Sequence, residues 1–181
     1  MKRLPFGLMA AGMGMSIAVS VLMLFAAGVT DLFYISALCL FVASLMTWIP
    51  LREEQGYAFA LTEFAVVSAI SLLISRSSIY TYLYIFLFGN YAVVRYFLRT
   101  RISDRFLTLL LRLLFLNIMA AALLAIADYV FGYDLMTQLP ATSVFIVWGA
   151  MQTAFLIFML LYKVFSLLFD SALRNLLLPR R

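Results

Sequence analysis

The stretch that decides the fold is residues 106–131, FLTLLLRLLFLNIMAAALLAIADYVF: 26 consecutive residues broken by only two charged side chains, Arg112 and Asp128. A helix needs about 20 residues to cross a hydrocarbon core of roughly 30 Å, so this run is long enough to span a membrane with residues to spare. Working outward, similar runs occupy about 7–29, 32–50, 57–75, 78–98 and 140–162. The six together take up nearly all of the chain. Over 181 residues, 66% are hydrophobic and 12% charged, a balance that a soluble domain of this length cannot cover with polar surface. The apolar runs are continuous and do not alternate, which points to helices over the short alternating strands of a membrane barrel. The expected fold is therefore an all-α integral membrane protein, a compact bundle of six transmembrane helices forming one domain. The first span fits a cleavable signal peptide poorly.

Charge sets an expected orientation. With the N-terminus in the cytoplasm, Lys2, Arg3, Arg52, Arg95, Arg99, Arg101, Arg105, Arg112, Lys163, Arg174, Arg180 and Arg181 fall on or near the inner side, and only Arg76 falls outside. Twelve of the thirteen basic residues on one side is a strong positive-inside pattern, and it places both termini in the cytoplasm. The net charge of +5 is thus explained by topology without nucleic acid. A bacterial cytoplasmic membrane is the expected location. The loop LRTRISDR, residues 98–105, is read as setting topology and meeting lipid headgroups. In residues 163–181, Lys163, Ser166, Asp170, Ser171, Arg174 and Asn175 form one stripe, which is read as an amphipathic cytoplasmic tail at the lipid surface or against a partner.

Enzymatic chemistry has little to work with. The sequence has no histidine, and Cys39 is its single cysteine, so a disulfide framework, a Cys/His zinc site and a histidine-dependent dyad are excluded. No phosphate-binding glycine loop, no paired carboxylates at glycosidase spacing and no serine with an evident base are present. No catalytic residue, cofactor or metal is expected.

The polar residues inside the spans carry the functional reading, because an ionisable group in hydrocarbon costs several kcal/mol. Glu63, in GYAFALTEFAVV, lies about two turns inside the third span, with Arg95 and Arg112 at comparable depth. Either Glu63 pairs with one of these arginines and locks helices, or the arginines snorkel to the inner surface and Glu63 is neutral or reaches water. Asn90, Asn117 and Gln152 sit near mid-depth, as interhelical hydrogen-bonding groups or as the floor of a cavity. Towards the outer face, aromatic and polar groups gather. Arg76, Tyr80, Tyr84, Asp128, Tyr133, Trp148 and Gln152 are the candidate lining of a small-molecule pocket, and an aromatic belt accounts for several tyrosines equally well.

The first span is unusually thin. At about 100° per residue, Gly7, Ala10, Ala11, Gly14 and Ala18 share one arc, while Gly12, Ser16 and Ser20 mark nearly the opposite face. Small residues four apart let helix backbones approach closely. A single neighbour cannot use both faces, which leaves one for a second helix or another polypeptide.

Six short-looped spans, both termini inside, a first helix lined by Ala10, Gly14 and Ala18, and an outer polar-aromatic cluster together resemble the substrate-binding S component of energy-coupling factor (ECF) vitamin transporters. The middle of the chain, from GYAFALTEFAVVSAISLLI to YLYIFLFGNYAVVRYFLRTRI, resembles uncharacterised bacterial six-span membrane proteins of that fold. The resemblance implies that Ala10, Gly14 and Ala18 dock on a membrane coupling subunit served by ATPases, and that a vitamin-like solute binds near the outer face. The competing classes are a non-transporting membrane scaffold similar to the rod-shape protein MreD and a handler of a lipid or lipid-linked precursor.

Overall fold

The computed structural model describes residues 6–30, 32–48, 56–76, 78–132 and 141–177. Every regular element among them is helical: α1 (Phe6–Val29), α2 (Phe33–Met46), α3 (Gly56–Ile74), α4 (Ile79–Leu83), α5 (Tyr91–Arg101), α6 (Arg105–Phe131) and α7 (Ala141–Leu177), with one π turn (Tyr84–Phe88) between α4 and α5. Contacts divide the chain into two units, Met1–Tyr133 and Asp134–Arg181. Among the described residues, four helical stretches are long and apolar enough to cross a membrane: Ala10–Val29, Gly56–Ile74, Arg105–Tyr129 and Val144–Phe169.

In the first unit, α1 packs on both α2 and α3, and α2 packs on the π turn. Leu24, Leu40, Ala43, Val67 and Tyr84 form the centre of the core, with Ile17, Phe64, Tyr80 and Phe88 packed around it. The distribution of polarity is inverted relative to a water-soluble fold. Phe106, Leu110, Leu114 and Ile118 form an exposed stripe along α6, whereas Ser16, Ser20, Ser36, Ser44, Thr47, Glu63, Thr81 and Arg95 are buried. That pattern suits lipid, where the outer surface needs no polar atoms and buried hydroxyls hydrogen-bond helix to helix. Ser20 donates to the Ala43 carbonyl at 3.4 Å and Ser36 to the Ala27 carbonyl at 3.0 Å, so both reach the neighbouring helix of the α1/α2 pair.

Two expected spans take a different form. The second, expected over 32–50, is a 14-residue helix. At about 1.5 Å per residue it is ~21 Å long, short of a hydrocarbon core of roughly 30 Å. The fourth, expected as continuous over 78–98, is interrupted. The Gly89 N–H donates to the Tyr84 carbonyl at 2.7 Å, closing the wider π turn, and α5 begins after Asn90. Gly89 is required at this break, since a Cβ there would lie 2.7 Å from the Tyr84 ring and 2.9 Å from that of Phe64. The Ser44 hydroxyl donates to the Phe88 carbonyl at 2.6 Å, which partners a backbone group beside the break.

α6 has clear end signals. The Asp104 side chain accepts from the Phe106 N–H at 2.8 Å and the Leu107 N–H at 3.4 Å. Gly132, in the left-handed region at φ 64, ends the helix. In the second unit, α7 is one unbroken helix of 37 residues, so the expected tail continues the preceding span as far as Leu177. The side chains of Asp170, Arg174 and Asn175 lie outside the described residues.

Candidate functional site

The most concentrated polar site lies around Glu63, on the buried face of α3. Gly56, Ala60, Glu63, Val67 and Ser71 all fall on that face, a spacing of three to four residues that turns one stripe of the helix toward its neighbours. Glu63 is fully buried. The Ser16 hydroxyl lies 2.5 Å from Glu63 Oε1 and 3.1 Å from the Met46 carbonyl oxygen at the end of α2. Thr47 follows directly in sequence, and its hydroxyl neighbours that of Tyr84, which is also within electrostatic reach of Glu63. Thr47 and Tyr84 do not close a hydrogen bond of normal geometry. Glu63 Oε2, Thr47 Oγ1 and Tyr84 OH are all buried without a hydrogen-bond partner. Oxygens of α1, α2 and α3 therefore meet at Ser16, with the Tyr84 hydroxyl of the π turn nearby.

Glu63 pairs with neither candidate arginine. Among the described residues it has no ion pair, and its hydrogen bond comes from Ser16. Arg95 is buried with its guanidinium carbon 5.1 Å from the centre of the Trp48 ring, a cation–π arrangement. Arg112 lies beside the hydroxyl of Tyr91, with Arg95 also within electrostatic reach of it. The arginines thus have their own aromatic partners. Of the candidate amides, Asn117 donates to the Leu113 carbonyl of its own helix at 2.8 Å, Asn90 stands at the start of α5 with Oδ1 buried and unpartnered, and Gln152 lies on α7.

The expected outer-pocket residues lie on several elements. Arg76 lines an open groove of about 420 Å³ together with Gly28, Val29, Leu73, Ile74, Ser75 and Ser78. Tyr80 packs against the core, and Tyr84 is fully buried near Glu63. The π turn sets the Tyr84 ring against Gly89 and Phe64. Asp128 is partly buried in the last turn of α6, where its carbonyl accepts from the Gly132 N–H. Trp148 and Gln152 belong to the second unit, and Tyr133 lies outside the described residues.

On α1 the two small-residue faces are resolved. Ser16 and Ser20 point into the first unit, while Gly7, Ala10, Ala11, Gly14 and Ala18 are exposed. A Cβ added at Gly7 or Gly14 would meet nothing within 4 Å.

Two components of the Glu63 site, Ser16 and Thr47, were not singled out as site residues from sequence. Ser16 carried a usable signal, since a serine row on a helix in lipid is expected to face protein. Thr47 carried none, because its role depends on where α2 stops. Among the described residues no group of three or more His, Cys, Asp or Glu comes together.

Among the described residues, an all-helical fold with four apolar helices of spanning length defines a multi-pass membrane protein. No family model, curated protein or solved structure matches the chain.

Proposed function

We propose that the chain is the solute-binding subunit of a membrane uptake system, with both termini cytoplasmic, six membrane-crossing segments and a separate coupling subunit and ATPases as partners. One observation carries this reading. α1 satisfies its bundle through the Ser16 and Ser20 face and leaves Ala10, Gly14 and Ala18 exposed, a thin surface that suits close approach by a second membrane helix. The groove at Arg76 supports a solute site on the outer side, with a volume in the ordinary range for small-molecule pockets. Its mix of one guanidinium, two serines and apolar side chains suits a small molecule with an anionic group.

The test is co-purification. Wild-type protein is expected to bring down a membrane coupling subunit with its ATPases, and Gly14→Leu to lose them while keeping its own thermal midpoint. Retention of the complex in Gly14→Leu would sink the docking assignment. A panel of vitamins is expected to include one that raises the midpoint of the wild type and not of Arg76→Gln. No response to any of them would favour the scaffold or lipid-handling classes.

A further inference from the structure

We propose that Glu63, the hydroxyls of Ser16, Thr47 and Tyr84, and the Met46 carbonyl form a binding site for one sodium ion inside the bundle. This inference is independent of solute binding at Arg76 and of docking through α1.

Hydrogen counting comes first. The Ser16 hydroxyl has one proton and two acceptors in reach, the Met46 carbonyl and Glu63 Oε1, so it serves only one of them. Glu63 Oε2 is buried with no hydrogen-bond partner, and the neighbouring hydroxyls of Thr47 and Tyr84 close no hydrogen bond of normal geometry. Thr47, Glu63 and Tyr84 each have 0% exposure. Unpartnered buried oxygens are individually unfavourable, and the meeting of α1, α2 and α3 oxygens at Ser16, with the Tyr84 hydroxyl of the π turn nearby, offers several coordination positions.

Charge narrows the choice. A buried carboxylate needs a compensating positive charge, and no arginine supplies it, since Arg95 faces Trp48 and Arg112 faces Tyr91. A proton would neutralise Glu63 and join it to Ser16 and the Met46 carbonyl, but of the six oxygens it would leave those of Thr47 and Tyr84 as they stand. A water would engage several but neutralise nothing. A hard monovalent cation does both. One carboxylate among neutral oxygens matches a single positive charge, while the absence of a second carboxylate argues against a divalent ion.

The backbone is arranged in the same sense. Met46 ends α2, so its carbonyl lies at the negative end of the helix dipole. Tyr84 opens the π turn that interrupts the fourth rod. Interrupted helices whose ends and carbonyls meet within the membrane are a recurring way to hold sodium, and π turns are frequent at functional sites.

The experiment is a thermal-midpoint titration of the full-length protein in detergent with sodium chloride, at ionic strength held constant with choline chloride. The wild-type midpoint is expected to rise with the logarithm of sodium concentration and not with choline. Glu63→Gln is expected to abolish the response, and Thr47→Val and Tyr84→Phe to raise the apparent sodium Kd at least tenfold. If Glu63→Gln fails to fold, the latter two variants carry the test. Equal midpoints in sodium and choline, or an unchanged sodium Kd in both Thr47→Val and Tyr84→Phe, would overturn the proposal. Stabilisation by acid alone, identical in the two salts, would assign the site to a proton and overturn it equally.

Discussion

The Ser16 hydroxyl meets Glu63 Oε1 at 2.5 Å and ties α1 to α3 across 47 positions of sequence. The acid of the third span is thereby held by a serine, while of the arginines expected as its partners Arg95 lies over the Trp48 ring and Arg112 beside the Tyr91 hydroxyl. If this contact couples the two helices, Ser16→Ala and Glu63→Gln are non-additive. A double-mutant cycle in detergent unfolding is expected to give a coupling of about 0.5–2 kcal/mol, the range of interhelical hydrogen bonds in membranes. Additivity within about 0.3 kcal/mol would remove the contact.

Gly89→Ala is expected to destabilise the first unit by about 1–3 kcal/mol, because the new methyl would press on the buried ring of Tyr84. Thermal unfolding of the variant checks this. Shortening the ring's neighbour in Gly89→Ala/Phe64→Leu should recover part of the loss, whereas a wild-type midpoint for Gly89→Ala alone would mean the ring is free to move.

Ser44→Ala removes the donor to the Phe88 carbonyl beside the π turn. It is expected to cost about 1 kcal/mol for the lost hydrogen bond. Backbone hydrogen exchange should speed up over Tyr84–Asn90 and stay unchanged in α6. Uniform acceleration would point to general loosening and not to the turn.

At the start of α6, Asp104→Ala is expected to cost about 1 kcal/mol through loss of two backbone partners, Phe106 and Leu107. Asp104→Asn should restore most of it, since an amide oxygen caps nearly as well. Failure of Asn to rescue would mean that the charge, and not the cap, is what matters.

Much of the architecture was legible in the sequence. The α6 run was marked to within a residue of its observed ends, because its long apolar stretch begins and ends where the helix does and needs no tertiary context. Glu63 stood out for a similar reason, as a lone acid in an apolar run. Even the two thin faces of α1 could be drawn from spacing alone. What could not be drawn was the partner of each. α2 stops at Met46 though apolar residues continue beyond it, and the fourth rod breaks at a glycine that the surrounding pattern does not distinguish from a packed one.

Composition and local signals thus determined that this chain is helical, apolar and built to cross a membrane. Only the tertiary structure decided that Ser16 faces inward while Gly14 faces out, that Tyr84 is buried near Glu63, and that Glu63 meets a serine and not an arginine. The reason is physical. Lipid is as apolar as a protein core, so hydrophobic periodicity does not tell the inside of a membrane bundle from its outside. The choice falls to close packing and to a few buried hydrogen bonds between residues far apart in the chain.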